Sequence, residues 1–130
     1  MRFNNEKPIF AQIAEMLADD IAAGRLSPGG RLPSARDLAA SLGVNPNTAA
    51  RALQSLADSG IARSERGTGY YVSETGVDHV RSDRKKRFIG EELPRLFKTM
   101  DDLDIGFDVL KVQWDAAHGD TTGVAGGEQK

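Results

Sequence analysis

The chain has 130 residues, 17 Lys plus Arg, 19 Asp plus Glu and no Cys. That length fits one ordinary domain, or a small domain with a short appendage, and excludes a nucleotide-binding domain joined to a full substrate domain. The lack of Cys excludes disulfides, thiolate metal ligands and Cys nucleophiles, and the formal net charge of -2 gives no global pull toward nucleic acid or an anionic membrane. The segment from Met1 to Lys7 lacks the apolar core of a signal peptide. No run of about 18 apolar residues occurs, so the expectation is a cytoplasmic protein without membrane contact.

The first predicted helix runs from Pro8 to Ala23. Ile9, Ile13, Met16, Leu17 and Ile21 fall on one helical face, and Gly24 ends it. Arg25 to Arg31 is dense in turn formers, and Pro33 biases Leu32 toward a short strand. Ser34 caps a second helix, with Asp37 three residues on as an approximate capping box; this helix ends at Gly43. Asn45 as cap and Pro46 as first residue open a third helix that continues to Ser59. Two short helices joined by a Gly-containing turn form the helix-turn-helix pattern. Ile61 to Glu65 and Tyr70 to Ser73 then read as strands around Arg66-Gly67-Thr68-Gly69, a hairpin.

The fold class expected is mostly α with a small β-hairpin: a winged helix-turn-helix followed by a short two-helix region. Beyond it, Val80 to Met100 predicts a fourth helix with Gly90 and Pro94 as kinks, and Ile105 to Trp114 a fifth that ends near His118. The expected domains are 1–76, a DNA-binding winged helix; 77–118, a helical dimerisation or effector region; and 119–130, a disordered tail with almost no apolar content.

Charge is segregated within the first region. Residues 1–76 are neutral overall, yet residues 25–71 carry a net +3, all from Arg25, Arg31, Arg36, Arg51, Arg63 and Arg66. Arginine's planar fork suits phosphates and guanine edges, although a solvated surface has the same composition. On the third helix, Asn47, Thr48 and Arg51 occupy the end that enters the major groove in helix-turn-helix docking; the alternative is that Asn47 and Thr48 only support the cap. Ser34 and Arg36 start the second helix, which crosses the DNA backbone; the alternative for Arg36 is a surface ion pair with Asp37 or Glu15. His79 and His118 lack metal-ligand spacing, and Gly67-Thr68-Gly69 lacks that of a phosphate loop, so no enzyme is expected and neither metal nor cofactor.

The segments Pro8-Ile9-Phe10-x-Gln12-Ile13, Leu26-x-Pro28-Gly29-x-Arg31-Leu32-Pro33-Ser34-x-Arg36, Gly43-Val44-Asn45-Pro46-Asn47-Thr48 and Arg66-Gly67-x-Gly69-x-Tyr71-Val72 resemble the GntR family of bacterial transcription regulators over residues 8–73. The Asn45-to-Thr48 variant and the short C-terminal region resemble its YtrA-like subfamily, in which two helices mainly dimerise. The resemblance implies DNA contacts at Ser34, Arg36, Asn45, Asn47, Thr48, Arg51, Arg66, Gly67, Thr68 and Gly69. Ala50 stands where many relatives have Arg. The expected function is a homodimeric, sequence-specific repressor of an inverted-repeat DNA operator, its own operon and a transporter operon included. Phe88, Leu93, Leu96, Phe97, Leu110 and Trp114 are the expected dimer-interface residues. A small-molecule effector has no identity in the sequence. The alternatives are a winged-helix protein-interaction module and a nonspecific DNA binder.

Overall fold

Helix α1 spans Ile9–Ala22 in the computed structural model, which describes residues 2–119. Of the tail expected at 119–130, everything after Gly119 lies outside the described residues. Ile13, Leu17 and Ile21 recur at helical spacing on α1 and are buried. Helix α2 (Ala35–Leu42) begins at Ser34, whose hydroxyl oxygen accepts from the Asp37 amide at 3.0 Å. It ends at Gly43, which takes a left-handed conformation with φ of 70°. Helix α3 (Pro46–Asp58) follows after Val44 and the Asn45 cap. Asn45 Oδ1 accepts from the Asn47 amide at 2.7 Å, while Pro46 has no amide hydrogen to satisfy.

Strands β1 (Ala62–Glu65) and β2 (Gly69–Val72) pair antiparallel, with Ala62 opposite Val72 and Glu65 opposite Gly69. The short strand expected at Leu32 is an isolated antiparallel bridge, Arg31 to Tyr71. The amides of Gly29 and Leu32 donate to Val72 and Tyr70, and the Val72 amide donates back to Gly30, each at 2.8 Å. The turn before α2 is thereby fixed along the outer edge of the hairpin. Helices α1, α2 and α3 bury Ile13, Ile21, Leu38, Ala49, Leu53 and Leu56 in one core, closed by Leu32, Ile61 and Val72 from the hairpin side.

Helix α4 spans Gly76–Arg87. Val80 is buried in the same core, and Arg84 pairs with Glu15 at 3.0 Å and with Asp19. Among the described residues the first compact unit accordingly extends to Lys85, and a second begins at Lys86. In the second unit a π-helical turn covers Phe88–Glu92 and continues into α5 (Leu93–Asp102); α6 spans Phe107–Ala117. The sequence predicted kinks at Gly90 and Pro94. Pro94 cannot donate a hydrogen bond and its ring crowds the carbonyl four residues back, that of Gly90. The chain absorbs this by widening: the Leu93 amide bonds to Phe88 O, one residue farther back than in an α-helix.

Candidate nucleic-acid interface

The exposed ends of α2 and α3 are built by short-range hydrogen bonds. Each cap uses a side-chain oxygen, Ser34 Oγ or Asn45 Oδ1, to satisfy an amide of the first turn. Ser34 retains its hydroxyl proton and Asn45 its amide NH2 as outward donors. Asn47 and Arg51 are exposed and Thr48 is half-buried. Arg51 lies four positions after Asn47 and three after Thr48, so all three share one helical face. Arg36 is exposed on the first turn of α2.

The six arginines of residues 25–71 separate into two groups. Arg25 pairs with Asp20 at 2.8 Å. Arg63 pairs with Glu65 and lies 5.1 Å from the Tyr71 ring centroid. Arg31 donates through Nη2 to Thr68 O at 2.5 Å. Arg36, Arg51 and Arg66 have neither a hydrogen bond nor an ion pair among the described residues. The ion pair considered for Arg36 does not form among the described residues. These three unpaired guanidinium groups belong to α2, α3 and the hairpin turn. The Arg51 guanidinium carbon rests 4.1 Å from the centroid of the Phe10 ring on α1.

The hairpin turn is Arg66-Gly67-Thr68, exposed throughout. Gly67 has φ of 79°, which lets the Thr68 amide return to Glu65 O at 3.0 Å. Gly69 has φ of 133°, and a Cβ there would lie 3.3 Å from the Arg31 side chain. Arg31 therefore braces the wing, a role its sequence position does not advertise, since Thr68 is 37 residues away. Tyr70 OH likewise donates to Gln54 Oε1 at 2.9 Å and ties the wing to α3. Sequence reasoning missed Arg31, Gln54 and Tyr70 because these contacts bridge elements; only the aromatic bias of β2 hinted at the last.

Among the described residues, no group of three or more His, Asp or Glu is arranged to hold a metal, and no helix is long and apolar enough to cross a membrane. His79 is exposed with its ring against Gly60, and His118 stacks on Trp114 with ring centroids 4.0 Å apart.

A family model described as bacterial regulatory proteins, gntR family, matches residues 10–72. The uncharacterized HTH-type transcriptional regulator YhcF of Bacillus subtilis (strain 168) is 32% identical over 104 residues, covering 80% of this chain and 84% of YhcF. The chain belongs to the GntR family. Within the family it is YtrA-like: the HTH-type transcriptional repressor YtrA of the same bacterium is 36% identical over 89 residues, covering 68% of each protein. A GntR-family crystal structure from Bacteroides thetaiotaomicron superposes with a TM-score of 0.72 at 30% identity, covering 82% of this chain and 93% of that one. This GntR protein is therefore a DNA-binding transcription regulator built on a winged helix, and its relatives are regulators rather than enzymes. All ten residues expected at DNA, from Ser34 to Gly69, fall inside the GntR match.

Proposed function

We propose that the protein is a homodimeric repressor that reads an inverted-repeat operator. The observation that carries this reading is the sorting of arginines. Arg25, Arg31 and Arg63 have partners within the chain, and the unpaired Arg36, Arg51 and Arg66 come one each from α2, α3 and the wing. Arg36 would hold a backbone phosphate. Asn47, Thr48 and Arg51 would meet base edges, and the Arg66-to-Gly69 turn would follow the flanking groove. Asn45 and Ser34 would present their remaining donors, and the helix N-termini their free amides, to phosphate. Repression is the activity printed in the name of the relative YtrA.

The dimer is supported by the second unit. Among its described residues only Met100 is buried. Phe97 is 50% exposed and Trp114 is 63% exposed, and Phe88 and Leu96 are exposed as well. Leu93 and Leu110 are half-buried. Ile89, Leu103, Phe107, Val109 and Val112 add exposed apolar surface that the sequence reading did not include. So few residues cannot close a core alone, and a second copy offers the same surface in return. Two chains would then present two α3 helices to two half-sites about one DNA turn, roughly 34 Å, apart.

A gel shift on the DNA just upstream of the protein's own gene, with excess unrelated competitor, tests the reading. A discrete complex is expected. Arg36→Ala or Asn47→Ala should weaken it by on the order of 1–3 kcal/mol. Undiminished binding by both variants would contradict the site assignment.

A further inference from the structure

Arg51 is the one unpaired arginine of the site that rests on an aromatic ring. Its guanidinium carbon lies 4.1 Å from the centroid of Phe10. Phe10 sits on the first turn of α1, half-buried and packed against the core, so the ring is a fixed platform. A guanidinium stacked by its face spends none of its N–H donors. Arg51 also makes no hydrogen bond or ion pair among the described residues, so its N–H donors stay available.

We propose that Phe10 is a positioning residue for DNA recognition: it holds the Arg51 fork, before DNA arrives, toward a paired acceptor on the duplex. The proposal rests on the DNA-binding reading above and deepens it. A long arginine side chain on an exposed helix face samples many rotamers, and ordering it on binding weakens affinity. Stacking on a ring anchored in the core pays that ordering in advance. The acceptor chemistry is two oxygens, or an oxygen and a nitrogen, in one plane, as a phosphate or a guanine edge supplies. Phe10 itself reaches no acceptor, because a phenyl ring has no donor to offer.

The test is a double-mutant cycle on the full chain. The probe is a fluorescent duplex that the wild-type chain enriches from a random-sequence pool, and folding of each variant is checked by circular dichroism. Phe10→Leu keeps the apolar bulk but removes the stack, and should weaken binding about 2- to 5-fold. Phe10→Tyr keeps a ring and should restore binding to near wild type. Arg51→Ala should lose on the order of 10-fold or more. Phe10→Leu combined with Arg51→Ala should be no weaker than Arg51→Ala alone. A Phe10→Leu loss that persists in full without Arg51 would overturn the proposal, since the ring would then act through packing only. Wild-type affinity in Phe10→Leu or in Arg51→Ala would overturn it as well. Spread of the Arg51→Ala loss over all duplexes assigns the acceptor to phosphate, and confinement to one base pair assigns it to guanine; both support a positioned fork. A readout independent of any variant's folding is the NMR spectrum of the free wild-type chain. Upfield ring-current shifts of the Arg51 side-chain protons are expected, and random-coil values would overturn the proposal. Failure of the wild-type chain to enrich any duplex would instead defeat the DNA-binding reading beneath it.

Discussion

Gly60 follows the end of α3 with φ of 82°, and a Cβ there would lie 3.0 Å from the His79 ring. Gly24, after α1, has φ of 83° and open space around it. Alanine at either position meets the left-handed backbone penalty, but only at Gly60 must a side chain also move. Gly60→Ala should therefore lower unfolding free energy by about 1–3 kcal/mol, and Gly24→Ala by less, about 1 kcal/mol, in parallel urea titrations. Equal losses would show that the His79 ring gives way freely. Gly24 was legible in the sequence as a helix stop, because a terminator works through its own φ. The ring over Gly60 was not legible. It comes from α4, and His79 carries no spacing signal that distinguishes a packed ring from a free one. Arg31 and Arg36 make the same point: two exposed arginines five positions apart in sequence, one hydrogen-bonded to the wing and one unpaired.

Element starts and stops follow from local chemistry, so α2, α3 and the hairpin were readable almost to the residue. Ser34, Asn45 and Pro46 act within one helical turn of themselves. Asn45→Ala removes the oxygen that satisfies the Asn47 amide, and should destabilise the fold by about 1 kcal/mol. Asn45→Asp keeps the acceptor and should restore stability in the same thermal melts; failure of that rescue would mean that the loss in Asn45→Ala does not come from the capping oxygen. The irregularity between α4 and α5 was located but not characterised. Pro94 announces that a hydrogen bond is missing, yet a kink, a break and a π-helical turn are all answers to it. Which one forms depends on backbone geometry that residue types alone do not encode. Likewise Pro33 signalled extension at Leu32, while the bridge to Tyr71 depended on where the hairpin docked.

At the scale of the molecule, a well-closed first unit contrasts with a second unit that leaves most of its apolar side chains in water. Leu is about equally frequent in the two, so it could not tell which would close a core; periodicity found the helices but not how far α4 stays with the first core. Val80 and Arg84 decide that. Phe97→Glu places a charge on the exposed apolar surface of α5 and should convert the proposed dimer into a monomer in sedimentation velocity, with the first unit still folded. A variant that sediments as wild type would remove Phe97 from the interface. The central claim is sequence-specific recognition of DNA by a paired winged helix, and selection of duplexes from a random-sequence pool by the full chain tests it most directly. The account predicts enrichment of one inverted repeat with half-site centres about 10 base pairs, one helical turn, apart, and its loss in Arg36→Ala. A pool left unenriched, or enriched without regard to sequence, would contradict it.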